Sequence, residues 1–250
     1  MTDETDRQIR FSTDDGHLVP AVTADEMREI DRIAVQDVGP ELLQMMENAG
    51  GTLAGLARSL TDERVVVLAG DGGNGGGGLC AARHLSNHGW DVRVVLDRPS
   101  DELTGAAATQ YRVLKGTDAT LGGTDVESAG LSEAGLVVDA VIGYGLSGVP
   151  RGRGRSLVEA ANRSSAPVLS LDVPSGVDAT TGETPGVAVA ADAVLTLALP
   201  KTGLGGVGSD LWLADIGIPH EVYRRAGVEY DQPFSGETRV RLHANPPDEP

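Results

Sequence analysis

The stretch VVVLAGDGGNGGGGLCAAR, residues 65–83, decides the fold. Its first five residues are β-branched or apolar without interruption, the pattern of a strand buried on both faces. A glycine-dense turn follows, and Leu79, Ala82 and Leu85 then recur at helical spacing, so the stretch reads as strand, loop and helix. Gly70, Gly72, Gly73, Gly75, Gly76, Gly77 and Gly78 are expected to let the backbone reach positive φ and to let a ligand approach the main chain. Peptide N–H groups of such a loop, with the helix N-terminus behind them, suit a phosphate or another anion. No Gly-Lys-Ser/Thr follows, so this is not a P-loop, and with so many glycines a G-x-G-x-x-G match carries little information. The plain alternative is a tight strand-to-helix turn with no ligand. Cys80, inside the helix, is expected to be a small buried hydrophobe.

Working outward, Thr23 and Glu26 have capping-box spacing ahead of Met27, Ile30, Ile33 and Ala34, an apolar helical stripe. A second helix is expected from Pro40 or Glu41 to Leu60. After the central stretch come a strand over 91–97, a helix over 104–116, a strand over 136–142, a helix over 155–164 and a strand over 166–172. Residues 191–200 form another strand and residues 211–219 the expected last one. Strands that alternate with helices and run almost wholly apolar indicate an α/β fold with a mainly parallel sheet covered on both faces. Residues 1–18 read as a polar, acidic extension, 19–231 as the domain, and 232–250, polar and proline-rich, as a partly disordered tail.

The net charge of -17 argues against nonspecific nucleic-acid binding and against attraction to anionic lipid. Lys115 and Lys201 are the only lysines. With arginine in place of lysine and few aromatics, this balance suits concentrated salt, where repulsion is screened; a halophilic source is the preferred explanation and an acidic mesophile the alternative. A single cysteine precludes an intrachain disulfide. No apolar run reaches the roughly 18 residues of a membrane span, and the first residues lack a signal-peptide core, so a cytoplasmic protein is expected.

In open sheets of this kind ligands bind beyond the carboxyl ends of strands. Three polar loops fall there: the glycine loop, the loop after Asp139, and the loop after Asp172 that begins Val-Pro-Ser-Gly. Asp139 and Asp172 end or nearly end buried strands, where a carboxylate needs a cation, a helix N-terminus or a hydroxyl. Each also has a purely structural reading: Asp172 and Ser175 as turn residues, Asp139 as an acceptor for nearby backbone N–H groups, and Lys201 as a solvated loop cation rather than a phosphate contact. None of His17, His84, His88, His220 and His243 is assigned to a metal site.

Taken in order, TADEMREID, MMENAG, AGDGGNGGGGLCAARHL, VVDAVIGYGLSG, LSLDVPSGVDATTG and TLALPKTGL resemble the YjeF N-terminal domain family, the NAD(P)H-hydrate epimerases, over about residues 23–219. The resemblance implies a Rossmann-like three-layer αβα sandwich and epimerisation of NADHX and NADPHX, nicotinamide dinucleotides hydrated on the ring. It places substrate contacts at Gly73, Asn74, Gly75, Gly76 and Gly77, and at Gly143, Tyr144, Gly145, Leu146, Ser147, Gly148 and Val149. Asp172 becomes both a substrate contact and the catalytic carboxylate, and Asn74, Asp139 and Ser175 become ligands of K+, which prefers oxygen donors. The implied partners are the hydrated cofactors as substrate and a separate NAD(P)H-hydrate dehydratase, with homodimerisation left open. One departure stands out: where the family usually shows NNGGDG, this chain has Gly73 and Gly77 in place of the first asparagine and the aspartate. The alternative from another class is therefore a catalytically silent nucleotide-binding or interaction module. A dehydrogenase fits less well, because Asp97 is the one candidate for a ribose-binding acid and no second substrate domain is visible.

Overall fold

A computed structural model describes residues 10–127 and 130–245 of the chain. Ten strands form one sheet: β1 (Arg10–Thr13), β2 (Leu18–Pro20), β3 (Val65–Ala69), β4 (Val92–Leu96), β5 (Thr120–Leu121), β6 (Leu136–Ala140), β7 (Val168–Leu171), β8 (Ala193–Leu197), β9 (Asp210–Ala214) and β10 (Arg239–Asn245). Their spatial order is β2-β1-β10-β9-β8-β7-β6-β3-β4-β5. From β9 to β5 every pair is parallel, and β10, β1 and β2 extend the β9 edge antiparallel.

The helices are α1 (Ala24–Arg32), α2 (Leu42–Leu60), α3 (Gly73–Asn87), α4 (Gly105–Leu114), α5 (Gly152–Arg163) and α6 (His220–Arg225). Thr23 caps α1 by the expected reciprocal bonds with Glu26, and a π-helical turn, Ile33–Val38, continues it to Gly39 at φ 111°. Strand β3 shows how the sheet separates two cores. Val65, Val67 and Ala69 pack in one with Leu53 of α2 and Leu79 and Leu85 of α3, while Val66 and Leu68 pack in the other with Leu157, Val158 and Ala161 of α5. That alternation follows from the period of two along a strand. The layering is the three-layer αβα arrangement expected.

Three features differ from the sequence reading. Residues 10–13 of the supposed N-terminal extension are β1, with Phe11 fully buried, and its last residue, Leu18, opens β2. Residues 239–245 of the supposed tail are β10, so β9 is not the last strand; Val240 and Leu242 alternate with charged neighbours, the signature of a half-buried strand. Residues 1–9 and 246–250 lie outside the described residues. Most consequentially, the glycine run is helix rather than loop, because α3 already begins at Gly73. None of Gly70, Gly72, Gly73 or Gly75 to Gly78 has positive φ. These glycines are explained by close approach instead. A Cβ on Gly75 would lie 1.7 Å from Gly70 O, and one on Gly78 2.4 Å from Ala140 Cβ of β6.

Candidate active site

The chain runs from β3 outward to β4 and β5, then crosses back to β6 and proceeds the other way through β7, β8 and β9. The loops that leave β3 and β6 therefore diverge, and a crevice opens at that switch point. It holds a cavity of about 660 Å3, lined by Gly73, Asn74 and Gly77 of α3, Gly143, Tyr144 and Gly145 after β6, and Asp172 after β7, among others. Met27, Arg28 and Asp31 of α1 and Met45, Met46 and Ala49 of α2 line it as well. At the start of α3 the first-turn N–H groups have no acceptor one turn back, so they and the helix dipole favour an anion at this end.

Asp172 is held in place from several sides. Its φ of 69° is left-handed, a conformation aspartate tolerates better than most residues and one that neighbouring bonds must impose. Asp172 N donates to Leu195 O at 2.7 Å and Val173 N to Leu171 O at 2.9 Å, fixing the turn at the end of β7. One carboxylate oxygen accepts from Lys201 Nζ and the other from Tyr144 N at 3.1 Å. Lys201 also donates to Leu197 O at 2.9 Å and is 1% exposed. It is thus no solvated loop cation but the buried partner of Asp172. The Tyr144 hydroxyl donates to Asp31, whose carboxyl burial holds above the usual range even though that hydroxyl and Lys201 pull it down. Burial and the Asp31 charge raise the Tyr144 phenol in turn.

Beside this group, Asp139 of β6 is completely buried and accepts four hydrogen bonds. Ser175 Oγ and Val141 N reach Oδ1 at 2.5 and 3.3 Å, and Ser170 Oγ and Ser175 N reach Oδ2 at 2.8 and 2.9 Å. Burial raises its pKa above the ordinary carboxylate value, and the donors, Ser175 foremost, oppose that rise. Ser175 Oγ also accepts from Ile142 N at 2.8 Å, tying the β6 and β7 loops together. Asn74 bonds to neither Asp139 nor Ser175; its Oδ1 instead faces Gly143, and its Nδ2 is buried without a partner. Asp139 has no Lys, Arg or His ion-pair partner among the described residues.

The structure therefore sorts the expected substrate residues. Gly73, Asn74, Gly77, Gly143, Tyr144, Gly145 and Asp172 line the main cavity. Gly75 and Gly76 do not, since they pack against Gly70 and against the end of Met46. Leu146, Ser147 and Val149 line a smaller neighbouring cavity of about 480 Å3, and Gly148 lines neither. Asp31 and the pairing role of Lys201 escaped the sequence reading; the scarcity of lysine was the one available signal. Asp97 and Arg98 also border the cavity, but Arg98 pairs with both Asp97 and Asp71. Cys80 lies outside the lining, and burial with the Glu47 charge pushes its thiol up to about 12, so it is no nucleophile at neutral pH.

Gly143 gives a direct probe of this geometry. A Cβ there would lie 3.0 Å from Asn74 Oδ1 and 3.2 Å from Asp172 Oδ2, so Gly143→Ala must displace both. Misplacement by about 1 Å can cost on the order of 10²-fold in rate, so a shift of a few tenths of an ångström should lower turnover measurably while the chain still melts cooperatively. Steady-state kinetics with a melting curve checks this.

A family model described as YjeF-related protein N-terminus matches residues 42–203. The chain belongs to this family. It is 48% identical over 247 residues to a protein of Dehalogenimonas lykanthroporepellens named NAD(P)H-hydrate epimerase, with 95% of this chain and 98% of the relative covered. It is 40% identical over 230 residues to a protein of Thermofilum pendens named bifunctional NAD(P)H-hydrate repair enzyme Nnr, covering 89% of this chain but 42% of that longer one. The crystal structure of a yeast protein superposes with a TM-score of 0.79 at 24% identity, over 89% of this chain and all of that one, which establishes the shared fold. Asn74, at the start of α3, and Asp139, Asp172 and Ser175, on strand ends and loops, all stand at the switch point. Gly73 and Gly77 lie in the cavity wall itself.

Proposed function

We propose that this protein is an NAD(P)H-hydrate epimerase that interconverts the R and S forms of NADHX and NADPHX. The observation that carries the reading is the Asp172–Lys201 pair, buried in the wall of a cavity that the N-terminus of α3 also lines. Backbone N–H groups of α3 suit the pyrophosphate, and the apolar α2 wall suits a ring. Epimerisation at the hydroxyl-bearing C6 needs a proton donor for the departing oxygen and an acceptor when it returns. Asp172 is the acid/base, and Lys201 positions it and keeps a proton donor within the same hydrogen-bonded group. Chromatographic separation of R- and S-NADHX before and after incubation with the protein tests the proposal; unchanged relaxation toward the equilibrium mixture would refute it. In the cytoplasm the S product passes to a separate S-specific dehydratase, the functional partner. No helix among the described residues is long and apolar enough to cross a membrane.

The donor set near Asp139 fits potassium: an amide, a carboxylate and a hydroxyl are hard oxygen ligands. Asn74, Asp139 and Ser175 would hold the ion, which would supply the positive charge that the buried Asp139 carboxylate lacks. Because burial raises the folded-state pKa of Asp139, its contribution to stability is full below the unfolded carboxylate range and is lost as pH rises through the folded value. A cation favours the ionised form, so stabilisation by K+ should grow above that value. Melting in KCl and in tetramethylammonium chloride, at matched ionic strength to separate the site from screening of the -17 charge, should show a K+-specific rise that is larger near about pH 8 than near about pH 5. Asp139→Asn should abolish the increment, and identical melting in both salts would remove potassium from the account.

A second reading, a silent module of the same fold, draws on Gly77, which stands where the family usually carries aspartate. A Cβ there meets only the end of the Leu171 side chain, at 2.8 Å, so a carboxylate could be restored at modest cost.

A further inference from the structure

A second cluster of metal-binding side chains lies where α2 packs on α3, outside the cavity lining. Glu47 of α2 and Cys80 and His84 of α3 bring a carboxylate, a thiol and an imidazole together, all donor atoms within 4.8 Å of one another. Cys80 and His84 stand four residues apart and so share a helix face. Gly50 is what lets α2 come so near, since a Cβ there would lie 2.5 Å from both Cys80 Cβ and Sγ. Sulfur, nitrogen and oxygen are the donors zinc takes, at about 2.3, about 2.0–2.1 and about 2.0–2.2 Å respectively.

The middle of this triad already holds a cationic group. Arg83 Nη2 donates to Glu47 Oε1 and Oε2 at 2.7 and 2.6 Å, and lies 3.3 Å from Cys80 Sγ and 3.4 Å from His84 Nε2. His84 Nε2 is 2.7 Å from Glu47 Oε1, and Cys80 Sγ 3.5 Å from Glu47 Oε2. The arginine is incompletely satisfied, because its Nε is buried without a partner. The Glu47 side chain is 46% exposed and that of His84 26%, which leaves a route from solvent.

We propose that Glu47, Cys80 and His84 form a binding site for one zinc-class divalent cation, and that the Arg83 guanidinium is a place-holder displaced when the metal enters. One contact region cannot hold both positive charges, so the arginine must swing out. The thiol proton passes to solvent as the thiolate becomes a ligand, and a water completes a tetrahedron.

The test is a titration of the full chain, reduced and freed of metal, with Co2+ as an optical probe and Zn2+ as competitor. Cys80 is the sole cysteine, so a thiolate-to-Co2+ charge-transfer band can come only from this residue. The expected result is a saturable band that Zn2+ bleaches and Cys80→Ser lacks. His84→Gln, at a partly exposed position that leaves folding intact, should weaken Co2+ binding about 10-fold or more. Arg83→Gln removes the competing charge and should tighten it by about 10-fold or more, since about 1.4 kcal/mol of relieved competition suffices. No band in either the wild type or Arg83→Gln overturns the site, and equal affinity in those two proteins overturns the place-holder role.

Discussion

Asp172→Asn should epimerise NADHX at least about 10²-fold more slowly than the wild type, the lower end of what a positioned acid/base contributes. Asparagine has the same shape and accepts the left-handed backbone at φ 69°, so the turn after β7 can survive. What disappears is the carboxylate that receives Lys201 Nζ and Tyr144 N. Binding of NADPHX, measured by calorimetry, should change far less, because the proposed pyrophosphate contacts come from backbone N–H groups of α3. A variant with wild-type turnover would remove Asp172 from catalysis while leaving family membership untouched.

The second large effect is on stability. Lys201→Met strands Asp172, 3% exposed, without its buried cation, and breaking such a pair costs about 3–5 kcal/mol. The Asp172→Asn/Lys201→Met double variant should recover at least half of that loss, because no orphan charge remains. Denaturant unfolding of the wild type, both single variants and the double variant gives the coupling. Additive losses would mean that the two side chains touch without depending on each other.

How much of this was legible in the sequence follows from the range of each interaction. The unbroken apolar run of β3 and the almost wholly apolar runs of β6 and β8 announced a parallel sheet, and the ends of β3, β6 and β7 announced where a ligand would meet it. The glycines were misread because each costs a helix about 1 kcal/mol relative to alanine, so local propensity argues for a loop. Tertiary contact decides otherwise: Gly75 against Gly70 and Gly78 against Ala140 leave no room for a Cβ. Strand β10 was hidden in a polar stretch because only Val240 and Leu242 mark it. Asp31 meets Tyr144 across 113 positions and Lys201 meets Asp172 across 29, pairings that no local pattern reveals. Cys80 read correctly as buried, but its carboxylate neighbour came from another helix, and the charge between them from Arg83.

The most direct test of the central claim mixes the purified protein with R-NADHX in potassium-rich buffer, with an excess of S-specific dehydratase as reporter, and compares wild type, Asp172→Asn and Gly77→Asp. The account predicts that wild type drives consumption of the R form well above its spontaneous rate and that Asp172→Asn does not. If wild type binds NADPHX yet turns over no faster than the spontaneous reaction, while Gly77→Asp gains activity, the chain is a silent module and the epimerase reading is contradicted.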